Sequence, residues 1–575
     1  MKMNNLRFTR LAVFGSVALF LASCNGLSTM LKKANQVTYT ATPNPLEMQG
    51  DSVLVTIKGS FPANFFNKKA AMVLTPVLKF DGGEKAYPAQ TLQGEGVESN
   101  GTIISYVSGG SFSYVKKIAY TDEMSKSELV LRAKASIKTK SIDLPEVKLA
   151  TGVVATAKLV HADAKTIKAI DQFKYKTPET REAQIQFLIS DAKVRATEAK
   201  KAQIKNTAKY LDSVNADKNK QIAGVDISAY ASPDGPEAFN ANLSNNRGTS
   251  AEKFYKESFK KNDKAEKATV TAVGKSEDWN GFKDLMQKSN LEDKEMIIRI
   301  LDMNADPVVR EKEIKNMAKA YKKIAKDILP ELRRSKMTFN VDKLGKSDSL
   351  LLALGQVDTA KLAVEEYIKA ASLTKDNDVQ VKILNNTIKN FPQEWRAYNN
   401  LGVAQAGQKN YDAALTSFLK ADELAASGQK MVKNNIGAMY QYKGDDKKAV
   451  EYFDLAVGAG KEVGANQGAI KIKEGKYQEA VDLYGSTASF NAALAKLLNG
   501  DVNGALNAIT AAEDQTDPLG FYLKAIIGAR TSNPDLLFTN LRTAVMKDGK
   551  LAAKAKKDIE FAKFYDDATF KSIVQ

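Results

Sequence analysis

Hydrophobic positions change period twice along the chain. From residue 37 to about 160 the period is two: Val53, Val55 and Ile57 alternate with Leu54, Thr56 and Lys58, and Leu129, Leu131, Ala133, Ala135 and Ile137 alternate with Val130, Arg132, Lys134, Ser136 and Lys138. Such alternation builds strands with one dry face. The stretches GGEKAYPAQ and GEGVESNG between them supply turn residues, so the region is expected to form antiparallel strands packed as a β-sandwich. Between 183 and 341 the pattern is mixed. A strand at 184–189 leads into a helix whose Ile204, Ala208 and Leu211 form one stripe. A strand at 225–230, a turn at 231–236, and a helix carrying Leu243, Ala251, Phe254 and Tyr255 follow. Further strands at 268–274 and 336–341 are separated by helical sequence, giving the order β-α-β-α-β, a helical insertion, and β. From Ser349 onward, apolar and small residues recur in helix pairs with a period of about 34.

This predicts a multidomain chain: an N-terminal β-sandwich at 37–160, a linker at 161–182, an α+β domain at 183–345 with a helical insertion at about 276–330, and an all-α solenoid at 346–575. The start differs from all of these. MKMNNLRFTR is basic, LAVFGSVALFLA is apolar and short for a bilayer span, and Ser23 precedes Cys24, which is the pattern of a secretory signal over 1–23. The end of this segment, Leu21-Ala22-Ser23-Cys24, resembles the lipobox of bacterial lipoproteins. The resemblance implies cleavage before Cys24, acylation of its thiol, and a lipid-anchored tether at 24–36. No acidic cluster of the surface-export kind follows Cys24, so the expected location is the outer membrane, facing the periplasm.

Within the mixed region the run AYASPDGPEAFNANLSNNRGTSAEKFY carries Asn240, Leu243, Ser244 and Arg247. It resembles the core motif of OmpA-like peptidoglycan-binding domains. The upstream QIQFLISDAKVRATE is similar to that family's opening strand and helix entry, and Leu332-Arg333-Arg334-Ser335 to its arginine pair before the final strand. The resemblance spans about 160 residues, including an insertion the common family lacks. It implies that Arg247 grips the carboxylate of diaminopimelate in a peptidoglycan stem peptide while an acid in the turn holds the ammonium. A guanidinium fork suits a planar anion. In this chain the acid position holds Ser232, and the nearest carboxylate is Asp234. The expected peptidoglycan-binding set is therefore Ser232, Asp234, Asn240, Arg247 and Arg333.

In the C-terminal third, Leu401-Gly402, Tyr411, Ala414, Phe418 and Ala421 reappear as Ile436-Gly437, Gly444, Ala449, Phe453 and Ala456. A shorter copy has Gly468, Gly475, Tyr477, Ala480 and Tyr484. The spacing looks like tetratricopeptide repeats (TPR), about five or six units, and implies a concave surface for an extended peptide or a partner helix. Asn399, Asn400, Asn434 and Asn435 recur just before the Leu/Ile-Gly pairs and are the candidate protein-binding residues, either hydrogen-bonding a bound backbone or lining a solvated helix face.

Composition narrows the chemistry. With Cys24 and His161 the only residues of their kinds, an intrachain disulfide and a Cys/His metal site are excluded, and a catalytic triad would rest on His161 alone. No cofactor and no enzymatic activity are expected. The net charge of +17 falls by three to +14 once Lys2, Arg7 and Arg10 leave with the signal. The excess is spread rather than clustered on one segment, so nucleic acid is not an expected partner. The expected partners are outer-membrane lipid through Cys24, a peptidoglycan stem peptide, and an unidentified protein on the repeats. The resulting expectation is a lipoprotein that tethers the envelope to peptidoglycan. The alternative is a periplasmic scaffold of an outer-membrane secretion, fimbrial or transport complex without peptidoglycan binding.

Overall fold

The computed structural model describes residues 25–425 and 428–575, so Cys24 and the signal segment lie outside the described residues. No helix among the described residues is long and apolar enough to cross a membrane. The chain divides into two compact units, one made of the residues up to Ala169 together with Gln393–Gln575, the other of Ile170–Pro392.

The first unit begins with eleven strands: β1 (Thr38–Gln49), β2 (Ser52–Phe61), β3 (Ala71–Phe80), β4 (Gly83–Ala86), β5 (Gln90–Gly94), β6 (Thr102–Ile104), β7 (Gly110–Ala119), β8 (Ser127–Ile137), β9 (Lys140–Asp143), β10 (Val147–Thr151) and β11 (Val153–Val154). They form two sheets, ordered β11-β1-β2-β7 and β10-β8-β3-β5-β6, with β4 on β3 and β9 on β8. The inner faces meet in one core. Val53, Val55 and Ile57 of β2 and Leu129, Leu131 and Ala135 of β8 belong to the same buried cluster, as the period of two requires.

That core does not stop at the sheets. It continues through Ile472, Tyr484, Leu494, Ile509, Tyr522, Leu541, Phe561 and Phe570. The N-terminal sheets and the C-terminal helices are thus one body, closed by polar ties. The Tyr477 hydroxyl donates to the Met48 carbonyl at 3.1 Å, and Thr156 donates to Glu560, which also takes both Nε and Nη2 of Arg530. Each fully buried large apolar side chain contributes about 1.5–3 kcal/mol, so a core spanning both segments couples their folding. This departs from the expected series of separate domains. The sandwich of 37–160 is not free-standing, and the solenoid of 346–575 is split, its helices Asp348–Gly355, Val364–Ser372 and Asn377–Asn390 falling in the other unit. Periodicity shows that a helix has an apolar face but not what that face packs against.

The helix pairs of the first unit are Trp395–Gly407 with Tyr411–Leu424, Lys430–Tyr442 with Asp446–Leu455, Lys461–Lys473 with Tyr477–Tyr484, Phe490–Leu498 with Val502–Thr510, and Pro518–Arg530 with Pro534–Lys547. Second helices start where Asn410, Asp445 and Asp501 cap them through side-chain oxygens. In three successive pairs a glycine sits sixteen positions before an aromatic ring. A Cβ at Gly402, Gly437 or Gly468 would lie 2.7 Å from the ring of Phe418, Phe453 or Tyr484, which is how closely the paired helices approach.

The second unit holds β12 (Lys176–Gln186), β13 (Lys220–Ala231), β14 (Val270–Glu277) and β15 (Arg334–Leu344) in the order β12-β15-β13-β14, with only β13 and β14 parallel. Helices Ala202–Ala216 and Glu237–Ser258 pack on it through Ile204, Leu211, Ala251, Phe254 and Tyr255. The insertion folds as helices from Trp279 to Leu332 around Phe282, Met286, Ile297, Leu301 and Ile324. β12 starts seven residues before 183 and pairs with β15 from Lys176↔Leu344 to Gln186↔Arg334. The expected linker of 161–182 is therefore partly strand. Its last seven residues, KTPETRE, read as linker in the sequence because an edge strand tolerates charges on both faces. Leu188 and Ile189, expected in this strand, lie beyond its end and are exposed.

Candidate binding sites

The first part of the expected linker, residues 161–169, runs extended along the first helices of the repeat pairs and is gripped by asparagines. Asn400 accepts from the Ala169 N–H at 2.8 Å and donates to the Ala169 carbonyl at 2.9 Å. Asn435 does the same to Ile167 at 2.7 and 2.8 Å, Asn466 to Lys165 at 2.6 and 2.9 Å, and Asn491 to His161 at 2.8 and 3.0 Å. A carboxamide offers one acceptor and one donor side by side, the complement of one residue's N–H and C=O. In an extended chain those groups point the same way at every second residue, so asparagines from successive helix pairs meet 169, 167, 165 and, two steps on, 161.

The asparagines also bond to one another. Asn399 donates to the Ile167 carbonyl and to Asn400, and Asn434 to the Lys165 carbonyl and to Asn435. Asn435 donates to Asn399, and Asn466 to Asn434, at 2.9 and 3.0 Å. All six are buried. The Tyr442 hydroxyl adds a bond to the Ala164 carbonyl. Side chains of the segment also take part: Ala164 and Ala169 are buried, and the His161 ring stacks on Phe490 at 3.9 Å with its Nε2 3.4 Å from Asp517.

The four asparagines expected to bind a partner or line a solvated face meet the backbone of the chain's own residues 165–169. Asn466 and Asn491 were missed although the register marks them. Asn400, Asn435 and Asn466 each stand two residues before the repeat glycine, and Asn491 stands two before Ala493 in its place.

In the second unit the turn after β13 forms a charged cluster. The Ser232 hydroxyl donates to Asp234 Oδ1 at 2.7 Å. Arg333 donates from Nη2 to Asp234 Oδ2 and from Nε to the Ser232 hydroxyl, both at 3.1 Å. Asn240 ties the turn down through the Ser232 and Gly235 carbonyls and through Glu277 Oε1, whose other oxygen accepts from the Trp279 indole. Burial pushes the Glu277 carboxyl up from its ordinary value against the pull of those two donors. Ser232, Asp234, Asn240 and Arg333 are therefore brought together.

Arg247 takes a different position. It is 1% exposed, lies against the Phe187 ring, and donates to the carbonyls of Asp191, Tyr230 and Leu188, each at 2.9 Å. Burial, and then the positive charge of Arg333, pull its pKa down to about 10, leaving it cationic at neutral pH. Its visible work is to pin the segment after β12 to β13.

Residues 396–427 match the family model of the tetratricopeptide repeat. No curated protein matches the chain in sequence. Among solved structures, the APC/C hetero-tetramer Cut9–Hcn1 is similar at 14% identity over 40% of this chain and 46% of that one, with a TM-score of 0.32, so this chain spans about half of that protein's length. The C-terminal part of a TPR repeat-containing protein from Cytophaga hutchinsonii is 16% identical over 36% of this chain and 92% of that one, at a TM-score of 0.25. Yeast Tom70 is 15% identical over 60% and 64%, also at 0.25. The chain carries a tetratricopeptide repeat at 396–427 within a C-terminal region of TPR-like helix pairs.

Proposed function

We propose that this protein is a non-enzymatic scaffold lipoprotein of the bacterial outer membrane, held by acylated Cys24 and facing the periplasm, whose repeats hold polypeptide. The observation that carries the reading is the asparagine ladder, in which Asn400, Asn435, Asn466 and Asn491 each grip a residue of extended chain by both its N–H and its carbonyl. A face built to bind main chain suits assembly rather than bond-making chemistry. Crosslinking in intact cells tests it: a dominant protein adduct on residues 393–575 that survives digestion of the cell wall is expected, and its absence overturns the scaffold assignment. The mass of the membrane-extracted protein tests the anchor. A chain starting at Cys24 and carrying acyl groups is expected, and an unmodified chain refutes it.

A second reading, contact with peptidoglycan, is favoured by the Asp234–Arg333 pair. An internal carboxylate–guanidinium pair near cationic Arg247 is the arrangement that a ligand bearing both an ammonium and a carboxylate can replace, the ammonium on Asp234 and the carboxylate on Arg333. Because Arg247 holds up three carbonyls, its removal would disturb the fold, and Arg333→Gln is the better probe. Reduced retention of that variant on purified sacculi, with unchanged thermal unfolding, is expected. Retention equal to the unmodified protein removes peptidoglycan from the proposal.

A further inference from the structure

The groove of the first unit is full, and the asparagines that hold its occupant grip main-chain atoms. The asparagines meet the segment through its main-chain atoms, with one further bond from Asn491 to Asp163 Oδ1. The fully buried side chains of the segment are small, Ala164 and Ala169, and Lys165 is exposed and pairs with Asp163 of the same segment. Recognition of this kind does not read sequence. An extended chain with N–H groups at the positions of 161, 165, 167 and 169 and small residues at those of Ala164 and Ala169 satisfies the same donors and acceptors.

The ladder also cannot stand empty at low cost. Asn400, Asn435, Asn466 and Asn491 each hold the segment by two main-chain hydrogen bonds, and losing the segment exchanges all of them for water at once. One occupant therefore leaves most readily as another arrives. Covalent connection gives the resident segment an effective concentration of about millimolar, so a free competitor at micromolar concentration is excluded.

We infer that this groove is a receptor for an extended segment of a partner protein with small side chains at the positions of Ala164 and Ala169, kept closed in the isolated chain by residues 161–169 and opened by strand exchange. This rests on the reading of the repeats as a protein-binding array and assigns that array its site and its control.

The test uses the full chain carrying Lys165→Pro and Ile167→Pro, which remove the N–H groups that Asn466 and Asn435 accept from. A fluorescent peptide of residues 159–169, LVHADAKTIKA, is the probe. The expected result is saturable anisotropy with the double-proline chain at least tenfold tighter than with the unmodified chain, abolished when Asn435→Ala is added. Equal affinity for both chains, or no binding to a double-proline chain whose circular dichroism is unchanged, overturns the inference. A second arm needs no variant. The same peptide with a benzophenone in place of Thr166, at millimolar concentration on the unmodified chain, is expected to crosslink within Lys430–Lys473, and crosslinks only elsewhere, or none, overturn it. A chain that forms adducts in cells yet takes no peptide in either arm refutes the exchange while leaving the scaffold reading intact.

Discussion

Asn435→Ala is the sharpest probe of the ladder. The residue is fully buried, accepts from the Ile167 N–H at 2.7 Å, and donates to the Ile167 carbonyl at 2.8 Å and to Asn399 Oδ1 at 2.9 Å. Truncation leaves the Ile167 carbonyl with Asn399 as donor at 3.1 Å, but it strands the Ile167 N–H and Asn399 Oδ1. Each stranded buried group costs about 1–3 kcal/mol, and with partial relaxation the sum is about 2–4 kcal/mol. If the segment opens locally, amide exchange over 162–169 accelerates about 30- to 700-fold, since about 1.4 kcal/mol is a factor of ten. Hydrogen exchange read by mass spectrometry measures this directly. Asn399→Ala is the control: every group it touches keeps another partner, so the loss is about 1 kcal/mol and the acceleration about fivefold. Equal acceleration in the two variants would refute the two-bond clamp as the source of the segment's hold.

Other consequences are open to measurement. Gly437→Ala places a methyl 2.7 Å from the Phe453 ring and 3.1 Å from the Ala449 carbonyl. A destabilisation of about 1–3 kcal/mol in urea unfolding is expected despite alanine's better helix propensity, and a gain in stability would show that the helices can separate freely. Arg247→Ala takes the guanidinium donors from three carbonyls, of which that of Leu188 keeps the Asp191 N–H at 3.3 Å, and is expected to cost the second unit about 2–3 kcal/mol, seen as a lower Tm; an unchanged Tm would leave Arg247 no structural role. Glu277 holds its proton to higher pH in the folded chain than in the unfolded one, so its contribution to stability is complete below about pH 4.5 and is lost as pH rises through the folded value. Carbonyl-detected NMR titration is expected to give a midpoint above 4.5, and one at or below it contradicts the burial argument.

Sequence alone determined much of the local architecture. Period-two alternation at Val53, Val55 and Ile57 set the dry face of β2, and the glycine and aromatic spacing from Gly402 to Tyr484 set the helix pairs. Both follow from side-chain periodicity, which neighbours along the chain dictate. Site residues were legible as positions: Asn399, Asn400, Asn434 and Asn435 stand out by repetition, and Asp234 by its turn. Their partners were not. That the asparagines would hold residues 161–169, that Arg333 would take Asp234, and that Arg247 would spend its donors on three carbonyls depends on segments up to 330 positions apart. The polar strand at Lys176–Gln186 and the core shared by 37–160 with 393–575 were hidden for the same reason. A chain's own pattern reports which groups must be buried or satisfied, while the tertiary fold alone decides which distant groups satisfy them.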